Sequence, residues 1–128
     1  MATSTLHVCV TCRSEATAPD AERPGARLLA AVERRHESER AGVTVIGVAC
    51  LSNCQRGCSA AVTGADKWTF VIGGLDPDLH AGEILQFARQ HHAHDQGLPV
   101  WRERPDHIRK NTIARVPPLP LHSHKEQT

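Results

Sequence analysis

The run Val43-Thr44-Val45-Ile46-Gly47-Val48 is almost continuously apolar and β-branched. Such a run reads as a strand buried on both faces, the pattern of parallel pairing. A parallel pair needs a crossover between its strands, and the preceding residues supply one. Leu6 to Val10 is a short β-prone run. Pro24 suits the first turn of a helix, Leu28, Leu29 and Val32 form an apolar stripe with Ala31 beside it, and Gly42 stands where a C′ glycine is expected. Strand, helix and strand make one βαβ unit, and that unit commits the chain to the α/β class.

The rest of the chain extends the sheet. Ser59-Ala60-Ala61-Val62 and Trp68-Thr69-Phe70-Val71-Ile72 flank a turn built on Gly64, Ala65 and Asp66, and so read as a hairpin. A second helix follows, with Asp76 as N-cap, Pro77 at the first helical position, and Ala81, Ile84, Leu85 and Ala88 on one face. The order β-α-β-β-β-α is that of a thioredoxin-like domain with a four-stranded mixed sheet, expected over residues 1–98. Trp101-Arg102-Glu103-Arg104-Pro105, a short helix around Asp106 to Ala114, and Pro117, Pro118 and Pro120 follow. The prolines argue for an extended arm over residues 99–120, packed on the domain through Trp101. Residues 121–128 read as a disordered tail.

With 128 residues, two tryptophans, two phenylalanines and no tyrosine, the core must be built from Val, Leu, Ile and Ala. A formal net charge of +1 gives no argument for a nucleic acid or a membrane surface. Met1-Ala2-Thr3-Ser4-Thr5 lacks the basic and apolar regions of a signal peptide, and no apolar run approaches a membrane span. A soluble, cytoplasmic protein is expected, where thiols stay reduced.

The five cysteines fall in two groups, Cys9 and Cys12 after the first strand, and Cys50, Cys54 and Cys58 after the second. Both groups stand at carboxyl ends of strands, the edge where ligand sites of open α/β sheets lie. Clustered thiolates select zinc, copper(I) or iron–sulfur clusters. Three readings compete: a four-thiolate iron–sulfur cluster, a zinc site of the same ligand count, and a catalytic Cys9-x-x-Cys12 dithiol. A catalytic dithiol belongs at a helix N-terminus, whereas residues 13–22 read as a loop between Cys12 and the helix. It also leaves Cys50, Cys54 and Cys58 without a task. Burial without a ligand fits one cysteine better than five.

Cys50-Leu51-Ser52-Asn53-Cys54 after an apolar strand resembles the second cysteine pair of thioredoxin-like [2Fe–2S] ferredoxins. That family includes the small cluster-binding subunit of respiratory NADH dehydrogenase. Over nearly its whole length the chain resembles the bacterial DUF1636 family of predicted metal-binding proteins. The matching stretches are Cys9-Val10-Thr11-Cys12, Cys50 through Cys58, Lys67-Trp68-Thr69-Phe70, and Trp101-Arg102-Glu103-Arg104-Pro105 with Pro117-Pro118. The resemblance implies a [2Fe–2S] cluster, one-electron transport between partner proteins and, by genomic association, a link to cobalamin biosynthesis. It implies Cys9, Cys12, Cys50 and Cys54 as ligands, with Cys58 as a substitute. The first pair is more closely spaced than in the well-known ferredoxins of this fold, and Cys58 is a fifth thiol. Ferredoxins of this fold commonly dimerise, which implies a homodimer.

No acid–base pair points to catalysis, so the chain is read as a carrier and not an enzyme. The alternatives are a zinc- or iron-binding accessory protein in metal delivery and a thiol–disulfide oxidoreductase. Blander readings suit the other polar residues. His91, His92 and His94 read as a solvated helix end favoured by the dipole. His7 reads as a strand side chain, and His122 and His124 belong to the tail. Arg13 and Arg56 either offset cluster charge or are solvated loop residues. Trp68 and Trp101 read as packing residues, and Arg102, Glu103 and Arg104 as a solvated face or a partner surface.

Overall fold

The computed structural model describes residues 4–11, 23–38, 42–52 and 57–118. Its elements run β1 (Ser4–Cys9), α1 (Pro24–Ser38), β2 (Val43–Val48), β3 (Ala60–Gly64), β4 (Thr69–Ile72), α2 (Ala81–Ala93), a 3₁₀ turn (Trp101–Glu103), α3 (Asp106–Asn111) and β5 (Thr112–Val116). The first six elements follow the expected thioredoxin-like order.

The sheet has five strands, in the order β2-β1-β3-β4-β5. β1 pairs parallel with β2, with Cys9 opposite Val48, and antiparallel with β3. The fifth strand corrects the expected four. Thr112 to Val116 lies antiparallel to β4, with an irregularity between Val71 and Ile72. The segment after residue 99 is thus a 3₁₀ turn, a helix and a strand, not a wholly extended arm. Ile108 of α3 is fully buried.

α1 and α2 pack against each other and on one face of the sheet. Leu6 and Val8 of β1, Val62 of β3, and Phe70 and Ile72 of β4 meet Leu28 and Val32 of α1 and Ile84, Leu85, Phe87 and Ala88 of α2 in one core. Phe70 and Phe87 meet edge-to-face at 5.1 Å between ring centroids, a favoured aromatic geometry. Gly47 brings α1 close to β2. A Cβ there would lie 2.8 Å from Leu29 Cδ2 and 2.9 Å from Val10 Cγ1.

Two local expectations are corrected. β2 pairs in parallel but is an edge strand, with Thr44 exposed and Ile46 39% exposed. β-branched composition suits any pleated surface and does not report burial on both faces. Gly42 takes φ of +78° just before β2, the left-handed conformation expected of a C′ glycine, while residues 39–41 between it and α1 lie outside the described residues. α2 begins at Ala81, not at Pro77. Asp76 does cap, but it caps a turn before the helix: its Oδ1 accepts from Asp78 N at 2.7 Å and Leu79 N at 3.2 Å. His80 Nδ1 accepts from Asp76 N at 2.8 Å and holds that turn closed.

Candidate metal centre

Strand pairing brings Cys9, Cys50 and Cys58 to one end of the sheet. Cys9 closes β1, and Cys50 lies just beyond β2. Adjacent strands run about 4.8 Å apart, so the parallel register delivers both thiols to neighbouring loop starts. Thr11 stitches the loops together: its hydroxyl donates to Ala49 O. Val10 N donates to Val48 O at 2.9 Å, and Arg23 Nη1, just before α1, donates to Thr11 O at 3.0 Å.

The thiols differ in setting. Cys9 is buried, with Sγ at 3.6 Å from Thr11 Oγ1. Cys50 is exposed, and its Sγ accepts from Ser52 N at 3.2 Å. Ser52 takes φ of 56°, which turns that amide back on the sulfur. An N–H aimed at sulfur is the contact a ligating thiolate uses. Cys58 is buried, on the β3 side of β1. Its backbone exchanges two hydrogen bonds with Leu75, at 3.3 and 3.0 Å, while Cys9 N donates to Ser59 O at 3.0 Å. A cleft of about 250 Å³ beside Cys58 is lined by Pro24, Arg27, Leu75, Asp76 and Asp78. Beside it Arg27 Nη2 donates to both carboxylate oxygens of Asp78 at 2.9 Å.

Cys12, Cys54, Arg13 and Arg56 lie outside the described residues. Among the described residues, no group of three or more His, Cys, Asp or Glu side chains could hold a metal. Cys9 and Cys50 fit the donor chemistry of a thiolate-held group: soft ligands, from two loops, at the ligand-binding edge of an α/β sheet.

The histidines at the end of α2 lie outside this end of the sheet and are not a solvated cluster. His91 is fully buried. Its Nδ1 lies 2.6 Å from Ser4 Oγ and its Nε2 2.6 Å from Trp68 O. A carbonyl can only accept, so Nε2 carries the proton and Nδ1 accepts from the serine hydroxyl. Burial holds its pKa below the ordinary imidazole value. Buried Lys67 donates to the carbonyls of His91 and His92, at 2.9 and 2.6 Å, and so caps α2. A legible signal marked His91, since it continues the apolar stripe of Ile84 and Ala88 at helical spacing. His7 is a strand side chain bonded to Thr63 Oγ1 at 2.9 Å. Trp68 packs against the core, whereas Trp101 is 62% exposed and is not a core residue.

This five-stranded mixed sheet with two helices on one face is similar in fold to solved thioredoxin-like [2Fe–2S] ferredoxins. Similar solved structures are a thioredoxin-like [2Fe–2S] ferredoxin from Aquifex aeolicus, at 17% identity and TM-score 0.57, covering 94% of this chain and 98% of that one. A wild-type structure described in the same words matches at 18% identity and TM-score 0.54, covering 88% and 97%. A cysteine-to-serine variant of that ferredoxin matches at 17% and 0.55, covering 87% and 98%. The family model described as protein of unknown function DUF1636 matches residues 6–118, and the chain belongs to that family. A search of the curated proteins gives no match. No helix among the described residues is long and apolar enough to cross a membrane.

Proposed function

We propose that this protein is a small cytoplasmic one-electron carrier that holds a [2Fe–2S] cluster on Cys9, Cys12, Cys50 and Cys54. The observation that carries the reading is the delivery of Cys9 and Cys50 to adjacent loops by the parallel register of β1 and β2. The similar solved ferredoxins, which are [2Fe–2S] proteins by description, support it. A bound cluster supplies one-electron exchange at nearly fixed geometry. The chain's own part is to bind and to tune. Buried Cys9 gives a ligand on the protein side, and exposed Cys50 gives one on the solvent side. The Ser52 amide places the positive end of its N–H dipole beside the Cys50 sulfur, which would stabilise added negative charge and raise the potential. Thr11 holds the two loops at a constant separation through Ala49.

Anaerobic purification tests the reading. The expected product is brown, with visible charge-transfer bands and iron and inorganic sulfide in equal amount. It bleaches on reduction by one electron per cluster. A colourless protein carrying zinc overturns the reading and leaves the metal-delivery alternative.

A further inference from the structure

Among the described residues β5 is the outer strand of the sheet, paired with β4 on one side only. The opposite edge of such a strand presents backbone N–H and C=O groups that can template another strand. Beside it runs a groove of about 550 Å³ lined by Phe70, Trp101, Arg104, Arg109, Ile113 and Arg115 among others, with no carboxylate in its lining. Each arginine lies over an aromatic ring: Arg104 over Phe70 at 5.2 Å, Arg109 over Trp101 at 5.3 Å and Arg115 over Trp68 at 5.0 Å.

The charge there is not balanced within the described residues. Arg109 is paired with Asp106 at 3.1 Å. Arg104 donates its Nε–H to Pro99 O at 2.9 Å, and neither it nor Arg115 has a carboxylate within ion-pair distance among those residues. The two are close enough that Arg115 adds to the burial that disfavours the charged form of Arg104. Trp101 in the lining is 62% exposed, and its chain neighbour Val100 and the last residue of β5, Val116, are each 51% exposed. Exposed tryptophan beside arginine is the composition of interface hot spots.

We propose that this groove docks an acidic, extended segment of a partner protein, added along β5 as a further strand. Its backbone would pair with the β5 edge, its carboxylates would meet Arg104 and Arg115, and an apolar side chain would cover Trp101. Charge complementarity selects this occupant. The chain's own residues 119–128 hold one lysine, one glutamate and two histidines, with no acidic excess to offer the groove. The inference goes beyond electron carriage and does not depend on what the cysteines hold.

The test uses the full chain and a fluorescein-labelled octapeptide of alternating Glu and Val, followed by anisotropy at low salt. A Lys and Val peptide of the same pattern should bind about tenfold more weakly or worse. Arg115→Gln should weaken the acidic peptide by about three- to tenfold and Trp101→Ala by about tenfold. Both side chains are exposed, so melting temperatures should hold; if Trp101→Ala melts lower, Arg115→Gln decides. The acidic peptide with alternate backbone amides N-methylated should lose most of its binding. Equal binding of acidic and basic peptides, no loss in Arg115→Gln, or full binding by the N-methylated peptide each overturns the proposal. So does tighter binding of an oligouridylate that displaces the acidic peptide, which would make the groove a nucleic-acid site. Self-association of the unliganded chain that Trp101→Ala abolishes would assign the edge to a second copy and also overturn it.

Discussion

Cys9 and Cys58 are both buried, whereas Cys50 is exposed with an amide on its sulfur. Burial alone therefore does not rank the thiols as ligands, and the ranking proposed above rests on position on the β1 and β2 loops. Serine at Cys50 is expected to remove or perturb the visible bands and lower the iron content. Serine at Cys58 should leave both largely intact. Loss of the bands in Cys58→Ser with retention in Cys12→Ser would reverse the ligand assignment. At the other end of the sheet, His91 joins Ser4 and Trp68 inside the core. Alanine there leaves a cavity, an unpaired serine hydroxyl and an unpaired carbonyl. The expected cost is about 2–4 kcal/mol, measured by urea unfolding, with no change in the cluster spectrum.

At the scale of elements, the contact of α1 with β2 depends on one missing side chain. Valine at Gly47 would drive its Cβ against Leu29 and Val10. Overpacking of this kind costs about 1–3 kcal/mol, and Val10 adjoins Cys9. The substitution should lower the denaturation midpoint, and it should also shift the visible spectrum if the first loop moves with Val10. An unchanged midpoint would mean that α1 shifts freely over β2. α2 is held differently, by its Lys67 cap and by His91, so its C-terminal end is fastened to the β3–β4 hairpin rather than left in solvent.

For the whole molecule, most of the core lies between the sheet and its helices, and only its margin, at Cys9, Cys58 and Leu51, reaches the cysteine loops. Metal removal is therefore expected to leave most of the far-ultraviolet circular dichroism. A random-coil spectrum on chelation would refute that. Stability should also depend on pH. Burial lowers the pKa of His7, His80 and His91 below the ordinary value of 6.5; for His80 the neighbouring His107 adds to this, against Glu83 and Asp76. A depressed histidine binds its proton more readily in the unfolded chain, so the unfolded state gains protons first as pH falls. Stability is then fully present above about pH 6.5 and is lost as pH falls below it. Melting temperatures measured downward from about pH 7.5 should fall below neutrality, and a flat profile would contradict the burial of these rings.

Local pattern was enough for β1, α1, β2, the hairpin and the stripe of α2, because side-chain periodicity and turn residues act within a few positions. It also located Cys9 and Cys50 at the ends of β1 and β2. What needed the tertiary structure was every feature decided by a distant partner. Thr112 to Val116 is short and follows a helical turn, and only pairing with β4 makes it a strand. β2 reads as doubly buried, yet Thr44 and Ile46 on one of its faces are exposed, because packing of the helices and not composition sets which face is covered. His91 looked like a solvated helix end until β1 brought Ser4 beside it from 87 residues away. The basic groove at β5 likewise exists only because the segment after α2 folds back against Phe70. Short-range chemistry chose the elements, and long-range packing chose which of their faces meet water.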